Sequence, residues 1–367
     1  MYPAKSLEKF SENKDKPRIL YLVDYQLDYG AEMLLNGLYK VLGRDNLVIY
    51  PFLRRYRDGV DEGYELPDGR RGYTTLPAQF IKLDLEEYEF NEVKAEILRG
   101  GFDYIVMASP RSYVLRSMEA IVKEFGGCPL PVVFNDFEDY PMIRWDIVNR
   151  YRPFCCFKRE LLDTEENQKI CEGFPLFPLP FSAPTDRLAE DVKYDDKDID
   201  VFFAAGNTHP LRVEVVKALR ELEKEHGVNF VGGLDPPTPL EGEIRYRVPY
   251  DEYQQLMARA KINVTVRGFG YDTVRRWEVH CYSSLVVSDR IPLMTPYPFE
   301  DRKHIVYWDD IKEFKELVLY YLDNPEEAAV IGLAGKQHCL KHHTTEARAR
   351  YFLEVVEKCR EAETTSW

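Results

Sequence analysis

Short, unbroken runs of apolar residues, each followed by a turn and a helical pattern, constrain the fold of this chain more than any other feature. The first run covers residues 19–23 and leads into a helical pattern over residues 31–42. Unbroken apolar runs of this kind are typical of parallel strands buried on both faces, and helices between them complete βαβ units. The pattern therefore predicts an α/β fold built on doubly wound parallel sheets.

The same alternation occurs in both halves of the chain. In the first half it predicts further strands at residues 46–50, 104–108 and 131–134, with helices at about 86–99 and 117–125. In the second half it predicts strands at residues 200–205, 229–231, 262–266, 285–288 and 305–307, with helices at 211–226, 250–260, 273–282, 312–323 and 325–341. Residues 174–200, rich in proline and then in charge, are interpreted as a linker. We therefore expect two Rossmann-like domains that face each other across a cleft, with a ligand at the carboxyl ends of the strands.

Chain length indicates the number of domains, and net charge bears on whether the protein binds nucleic acid. The 367 residues suffice for two domains of ordinary size. The chain has 63 acidic and 49 basic side chains, which gives a formal charge of −14. Such a charge repels phosphate polymers, so bulk binding of nucleic acid is not expected.

Cysteine usage and hydropathy bear on location. The seven cysteines are scattered, with no CxxC pair and no Cys/His array at zinc spacing. They are interpreted as reduced thiols, which predicts a cytoplasmic protein. The N-terminus is polar, and no run of about 18 uncharged apolar residues occurs, so we expect neither a secretion signal nor a transmembrane segment.

The first candidate binding motif follows the strand predicted at residues 200–205. Gly206 and Asn207 form a turn that opens a helix, and Arg212 lies one turn into that helix. Backbone N–H groups at a helix start, together with a cation, suit a diphosphate. The alternative is an ordinary turn followed by a helix cap.

The second motif follows the strand predicted at residues 262–266 and is the strongest signal in the chain. Arg267 precedes a Gly-x-Gly loop that includes Gly270, and Arg275, Arg276 and Glu278 fall in the early turns of the next helix. Cations near a helix start are unfavourable for the dipole, which indicates an anionic partner. A helical face with both Arg275 and Glu278 can offer a guanidinium to phosphate and a carboxylate to sugar hydroxyls. The alternative is a surface cluster of ion pairs.

The third motif is the loop before the helix predicted at residues 250–260. It runs from Arg247 to Tyr253, and Val248 and Tyr250 within it could border a flat base by backbone and aromatic contacts. The alternative is a helix start fixed by Pro249, with Asp251 as an early acidic residue.

Acidic residues at strand ends in the first half are candidates for acid–base chemistry. Asp24 follows the first strand and Asp136 follows the strand at residues 131–134. A carboxylate in such a place can accept the proton of an acceptor hydroxyl if burial raises its pKa, so both are predicted as catalytic. The alternative is that they cap loops and helices. A basic loop at residues 54–57 could bind an anionic acceptor or be a solvated turn.

Several catalytic motifs are missing from the sequence. No HExxH or other metal spacing occurs among the histidines, and neither a GxSxG nor a GxxxxGK[ST] motif is present. The sequence therefore argues against a hydrolase or an ATPase, and we expect neither a metal nor another cofactor.

The second half resembles the CgeB-like (spore maturation protein) glycosyltransferases, which are bacterial proteins of GT-B type. The resemblance rests on residues 253–351, including Arg275-Arg276-Trp277-Glu278 and the closing His343-Thr344-Thr345, and on two segments upstream, residues 200–212 and residues 157–161. It implies a GT-B architecture with a glycosyltransferase family 1-like C-terminal domain. The expected boundaries are 1–182 for an acceptor-side domain, 183–345 for a donor domain, and 346–367 for a helix that crosses back.

The resemblance also implies roles for individual residues. Glu278 aligns with the glutamate that binds the donor ribose in related retaining enzymes. The chain departs from that pattern at Ser283, where glycine is usual, and at Gly270, where a second glutamate is usual. These departures leave open whether the reaction retains or inverts configuration.

We therefore expect a metal-independent glycosyltransferase that moves a sugar from a nucleoside diphosphate sugar to a hydroxyl of a glycan, protein or small-molecule acceptor. Two alternatives remain at this point. One is a nucleotide-sugar epimerase of GT-B type, and the other is a non-catalytic nucleotide-binding module.

Overall fold

The computed structural model describes residues 16–53, 56, 64–65, 71–72, 83–186, 188–236, 246 and 248–365. Within them the chain forms two α/β domains, each built on a parallel sheet, as the apolar runs predict. Three residues of the predicted basic loop (Arg54, Arg55 and Arg57), and Arg247 of the third motif, lie outside the described residues. Among the described helices, none has both the length and the apolar character needed to cross a bilayer.

The N-terminal domain contains a six-stranded parallel sheet in the order β2-β1-β5-β6-β7-β8. Its strands are β1 (Ile19–Leu22), β2 (Leu47–Tyr50), β5 (Tyr104–Met107), β6 (Val132–Asp136), β7 (Cys155–Lys158) and β8 (Leu176–Pro178). Its helices are α1 (Tyr29–Leu42), α2 (Phe90–Leu98), α3 (Ser112–Phe125), α4 (Trp145–Tyr151) and α5 (Glu165–Gly173). A separate antiparallel pair joins β3 (Tyr64–Glu65) to β4 (Arg71–Gly72).

The C-terminal domain contains a five-stranded parallel sheet in the order β10-β9-β11-β12-β13. Its strands are β9 (Ile199–Gly206), β10 (Phe230–Asp235), β11 (Ala260–Thr265), β12 (Leu285–Asp289) and β13 (Val306–Trp308). Its helices are α6 (Pro210–His226), α7 (Tyr250–Arg259), α8 (Val274–Glu278), α9 (Ile311–Asp323) and α10 (Pro325–His342). Apolar clusters cover both faces of this sheet, as they do in the N-terminal domain.

The final helix, α11 (Thr345–Thr365), packs against the N-terminal domain. Phe352 and Val356 on this helix are buried in the same apolar cluster as Tyr21 of β1 and Leu38 of α1. The chain thus leaves the second sheet and adds its last helix to the core of the first domain.

Two predictions for the chain between the motifs are wrong in part. Residues 174–200 are not a linker throughout, because β8 pairs with β7 as the sixth strand of the first sheet. Its single proline, Pro178, is compatible with an edge strand, where one side needs no ladder partner. The helix predicted at residues 273–282 is shorter: α8 ends at Glu278 and a 3₁₀ turn follows.

Candidate functional site

The site lies where the loops at the carboxyl ends of the two sheets meet. The loop that follows β11, residues 267–272, is called here the glycine loop. It contacts the loop that follows β7 of the other domain, where Arg159 donates Nη1–H to the carbonyl of Asp272 at 2.9 Å. Ligands of doubly wound sheets bind at these strand ends, so this contact locates the candidate site between the domains.

Arg212 connects the two strand-end loops of the C-terminal domain. Its guanidinium donates to the carbonyls of Gly206 (2.7 Å) and Val266 (3.1 Å) and to Thr208 Oγ1 (3.0 Å). Its Nε–H donates to the carbonyl of Arg267 at 2.8 Å. Burial, followed by the charge of Arg275, lowers the pKa of Arg212 to about 9. The side chain therefore fixes both loops with a cation that forms no salt bridge with a carboxylate in the described part of the chain.

The glycine loop is shaped by close contacts. The N–H of Gly268 donates to the carbonyl of Gly270 at 3.0 Å, which closes a tight turn. A Cβ atom at Gly268 would lie 2.8 Å from Nη2 of Arg212, so only glycine allows this approach. On the other side of the site, the N–H of Asn207 donates to the carbonyl of Asp235 at 3.0 Å.

The main chain of Arg267 is fixed by hydrogen bonds, whereas the N–H donors of its guanidinium remain available to a ligand. Its N–H lies 3.3 Å from each carboxylate oxygen of Asp289. Its guanidinium lies over the ring of Tyr271, 3.6 Å from the centroid, and Nε has no hydrogen-bond partner among the described residues. A guanidinium in this state can bind an anion without first breaking a salt bridge.

Glu278 and Arg275 are oriented by two tyrosines of α7. Tyr250 donates its hydroxyl to Oε1 of Glu278 at 3.0 Å, and Arg275 donates Nε–H to the hydroxyl of Tyr253 at 2.9 Å. Burial raises the pKa of Glu278 to about 7. Val248 is half-buried and, like Tyr253, packs against the apolar cluster that contains Phe202 and Ala204 of β9. The third motif thus contributes Tyr250 to the same site as the second.

Arg276 points away from Arg275. It is 7% exposed and donates to Ser288 Oγ at 3.2 Å and to the hydroxyl of Tyr307 at 2.8 Å. Glu278 is only 2% exposed. The alternative interpretation as a surface cluster of ion pairs is therefore wrong, because two of its three members are buried and none of the three is paired with another.

The four arginines of the two motifs, Arg212, Arg267, Arg275 and Arg276, are called here the arginine cluster. None of them forms a salt bridge with a described residue. Arg212, Arg275 and Arg276 hydrogen-bond to carbonyls and hydroxyls, and the guanidinium of Arg267 lies over an aromatic ring. Buried charges are ordinarily paired. The site therefore holds positive charge that an anion can neutralise.

The two predicted catalytic carboxylates occupy structural positions. Asp136 pairs with Lys158 at 2.8 Å, with both side chains buried on neighbouring strands, and burial raises the pKa of Asp136. Asp24 is 5% exposed and accepts the backbone N–H groups of Gln26 (2.8 Å) and Tyr113 (2.9 Å). The structure does not bring either one into hydrogen bonding with the arginine cluster.

Sequence reasoning assigned no contact to the residues that join the N-terminal domain to the glycine loop, although residues 157–161 belong to the family resemblance. Arg159 and Glu160 follow β7 directly, and both are buried although charged. Burial raises the pKa of Glu160 to about 7. Asp139 lies beside Arg159 with half of its side chain exposed. A signal was present, since three successive charged residues, Lys158 to Glu160, stand at the end of an apolar strand, but the sequence does not show what they contact.

Comparison with known proteins identifies a family model within the C-terminal half. Residues 212–354 match the family model described as glycosyl transferase-like. The matched segment includes the arginine cluster, Glu278 and the N-terminal part of α11. No curated protein sequence matches the chain at a significant level.

Solved structures with the same architecture match almost the whole chain. HepE from Anabaena, in complex with UDP-glucose, has a TM-score of 0.60 at 11% identity and covers 94% of this chain and 100% of its own. A glycosyltransferase from Rickettsia africae has a TM-score of 0.62 at 9% identity, with 94% and 99% covered. Sucrose-phosphate synthase from Thermosynechococcus elongatus has a TM-score of 0.51 at 10% identity, with 94% and 100% covered. The molecule therefore has the GT-B fold, and its C-terminal half carries a glycosyl transferase-like domain.

Proposed function

We propose that the protein transfers a sugar from a nucleoside diphosphate sugar to an acceptor hydroxyl between its two domains. The observation that carries this proposal is the arginine cluster: four guanidinium groups without a salt-bridge partner among the described residues, in a chain of formal charge −14. A protein with an excess of carboxylates has ample means to pair its arginines. Leaving them unpaired at the strand ends favours a polyanionic ligand.

A diphosphate is the anion that fits best. Arg267 is the first residue of the glycine loop, Arg275 follows that loop in α8, and Arg212 fixes the loop to the start of α6. When the bond between sugar and diphosphate breaks, negative charge grows on the leaving group. Fixed cations and backbone N–H groups in a water-poor site stabilise that charge without having to reorganise.

Glu278 is proposed to bind the donor ribose. Its Oε1 is occupied by the hydroxyl of Tyr250, and its Oε2 has no hydrogen-bond partner among the described residues. A carboxylate oriented in this way accepts hydrogen bonds from a pair of sugar hydroxyls. UDP-glucose, the ligand of HepE, is the first donor to test.

The proton acceptor for an inverting reaction would come from the N-terminal domain. Asp24 and Asp136 are the candidates from the sequence, but each would have to give up a structural contact. Asp139 and Glu138 are more exposed and lie on the loop after β6 that faces the glycine loop. A retaining reaction needs no such base.

Several finer statements are part of the same proposal. We place the protein in the CgeB-like group, with domain boundaries near residues 182 and 345, on the motifs given above. We expect no metal or other cofactor, because the arginine cluster supplies the positive charge. We expect a cytoplasmic location, since all seven cysteines are free thiols. No bulk binding of nucleic acid is expected from the net charge.

The proposal is tested by thermal stabilisation with UDP, GDP, ADP, TDP and CDP. A ligand at 100 times its Kd adds about 2.7 kcal/mol to the free energy of unfolding, so at least one of the five should raise the melting temperature. Product analysis with the matching nucleotide sugar should then show slow donor hydrolysis without acceptor. No shift with any of the five would contradict the proposal, and so would conversion of the donor to an epimer.

A further inference from the structure

Glu160 of the N-terminal domain holds the glycine loop of the C-terminal domain. Its side chain is fully buried, and it accepts the backbone N–H of Tyr271 at Oε2 (2.9 Å) and of Asp272 at Oε1 (3.0 Å). Hydrogen bonds to a charged acceptor are stronger than those between neutral groups. A carboxylate from one domain thus takes two main-chain donors from the other.

Arg159 binds the same short segment with the opposite polarity. It is 1% exposed, and it donates Nη1–H to the carbonyl of Asp272 at 2.9 Å and Nε–H to the carbonyl of Phe137 at 2.8 Å. Its guanidinium lies 4.3 Å from the ring centroid of Phe181. The amide and the carbonyl of Asp272 are therefore both bound by adjacent residues of the N-terminal domain.

Asp272 extends this contact to helix α8. Its carboxylate accepts the N–H of Phe181 at 2.6 Å and the indole N–H of Trp277 at 2.8 Å. Trp277 is buried and lies between Arg276 and Glu278 on the helix. A continuous set of hydrogen bonds thus runs from Glu160 to the helix that carries the proposed ribose-binding carboxylate.

Gly270 leaves the space that the Glu160 carboxylate fills. A Cβ atom at Gly270 would lie 2.5 Å from Oε1 of Glu160, nearer than van der Waals contact allows. The φ angle of Gly270 lies outside the left-handed range, so an L side chain there meets a contact rather than backbone strain. The absence of a side chain at Gly270 is thus matched to the presence of Glu160.

We propose that Glu160 is a positioning residue of the donor site, which sets the glycine loop and helix α8 from the opposite domain. The inference rests on the proposed function for its consequence in donor binding, but the loop contact itself does not depend on any ligand. It follows that the donor site is complete only when the two domains are in contact at this loop. A C-terminal domain alone would hold the arginine cluster but not the loop geometry.

The Glu160→Gln variant tests the contact because it keeps shape and removes one of the two acceptors. Backbone hydrogen bonds between the domains persist beside it, from Met294 N–H to the carbonyl of Leu161 and from Asp163 N–H to the carbonyl of Pro292, each at 2.9 Å. The domains should therefore stay docked in the variant. Glu172→Gln, an exposed glutamate of the same domain, is the matched control.

Hydrogen exchange of the free protein is the first measurement. We expect the amides of Tyr271 and Asp272 to exchange about tenfold faster in Glu160→Gln than in the wild type, and unchanged in Glu172→Gln. Unchanged exchange in Glu160→Gln would overturn the proposed contact. This readout needs no nucleotide, so it is independent of whether a donor binds.

Donor kinetics are the second measurement. We expect KM for the donor to rise about tenfold in Glu160→Gln while kcat changes far less, because the loop binds the donor in the ground state as well. Faster exchange with an unchanged donor KM would overturn the positioning role. A wild-type protein that binds no nucleoside diphosphate would instead contradict the proposed function, and the positioning role in donor binding would fall with it.

A second variant covers the case in which Glu160→Gln does not fold. Gly270→Ala places a methyl group against the Glu160 carboxylate and leaves that charge in place. It should release the same two amides and raise the donor KM in the same direction. Normal exchange and a normal donor KM in Gly270→Ala would show that the loop tolerates displacement of Glu160, which contradicts the proposal.

Discussion

The two loop regions that meet between the domains differ in how their charges are neutralised. On the N-terminal side, Lys158 pairs with Asp136 at 2.8 Å and Arg111 pairs with Glu138 at 2.7 Å. On the C-terminal side, the arginine cluster forms no salt bridge with a described residue. Paired charges stabilise the folded protein, whereas unpaired buried charges raise the free energy of the folded state unless a ligand neutralises them. The comparison teaches that stability and ligand binding are assigned to opposite sides of the same interface.

The largest expected effect is on stability, on the N-terminal side. Lys158→Met leaves Asp136 buried without its partner, and breaking a buried pair in this way costs about 3–5 kcal/mol. Urea denaturation should show this loss. Lys303→Met removes an exposed pair with Glu300 and should cost no more than about 1 kcal/mol. Equal losses in the two variants would break the comparison.

The next effect is on activity, on the C-terminal side. Arg267→Ala removes an unpaired cation, so we expect kcat/KM for the donor to fall about 10²–10³-fold. Its stability should stay near that of the wild type, because no salt bridge is lost. Arg290→Ala, in which an exposed arginine loses its contacts to Asp301 and Asp309, should leave kcat/KM unchanged. If the Arg267→Ala protein is unfolded, then this arginine stabilises the fold, which contradicts its role as an unpaired cation kept for the ligand.

A pH effect of intermediate size is expected from the C-terminal domain. His280 donates Nδ1–H to the carbonyl of Arg276 at 2.6 Å and stacks on Phe299, and burial lowers its pKa to about 3. Between pH 6.5 and this value the unfolded chain binds a proton that the folded one does not, so stability falls as pH falls. From pH 7 to 5 the loss is about 2 kcal/mol.

The measurement that isolates this histidine is the difference in pH dependence between the wild type and His280→Gln. Other groups contribute to both proteins, including His304 and His343, whose pKa values burial also lowers. The free energy of unfolding should therefore fall less steeply in His280→Gln between pH 7 and pH 5. Parallel curves would show that His280 is not the group responsible.

The smallest effect sharpens the assignment of Glu278. Burial raises its pKa to about 7, and the charged form is the better acceptor for ribose hydroxyls, so donor affinity should fall as pH drops through 7. Glu278→Gln should bind the donor about tenfold more weakly at pH 8 and lose this pH dependence. A pH profile that is the same in both proteins would assign the ionisation to another group, such as Glu160.

Much of the fold could be predicted from local patterns. The apolar run at Ile19–Leu22 and its counterparts predict strands because a parallel strand buried on both faces needs apolar side chains at every position. The glycine loop was recognisable because Gly268 and Gly270 stand directly between a strand and a helix. Helices α4 and α5 and strands β7 and β8 were not predicted, since their patterns are short or interrupted by polar residues and proline.

The sequence by itself determined the alternation of strands and helices in both halves, the two-domain plan, and the position of Arg267 at a strand end with Glu278 in the helix that follows. Only the tertiary structure decided which charges are paired, because strand order places Lys158 beside Asp136, and domain docking places Glu160 against Tyr271. The physical reason is the separation along the chain between residues that interact. Periodicity records what each segment buries, whereas the partner of a charged side chain comes from a distant part of the chain and leaves no mark on local composition.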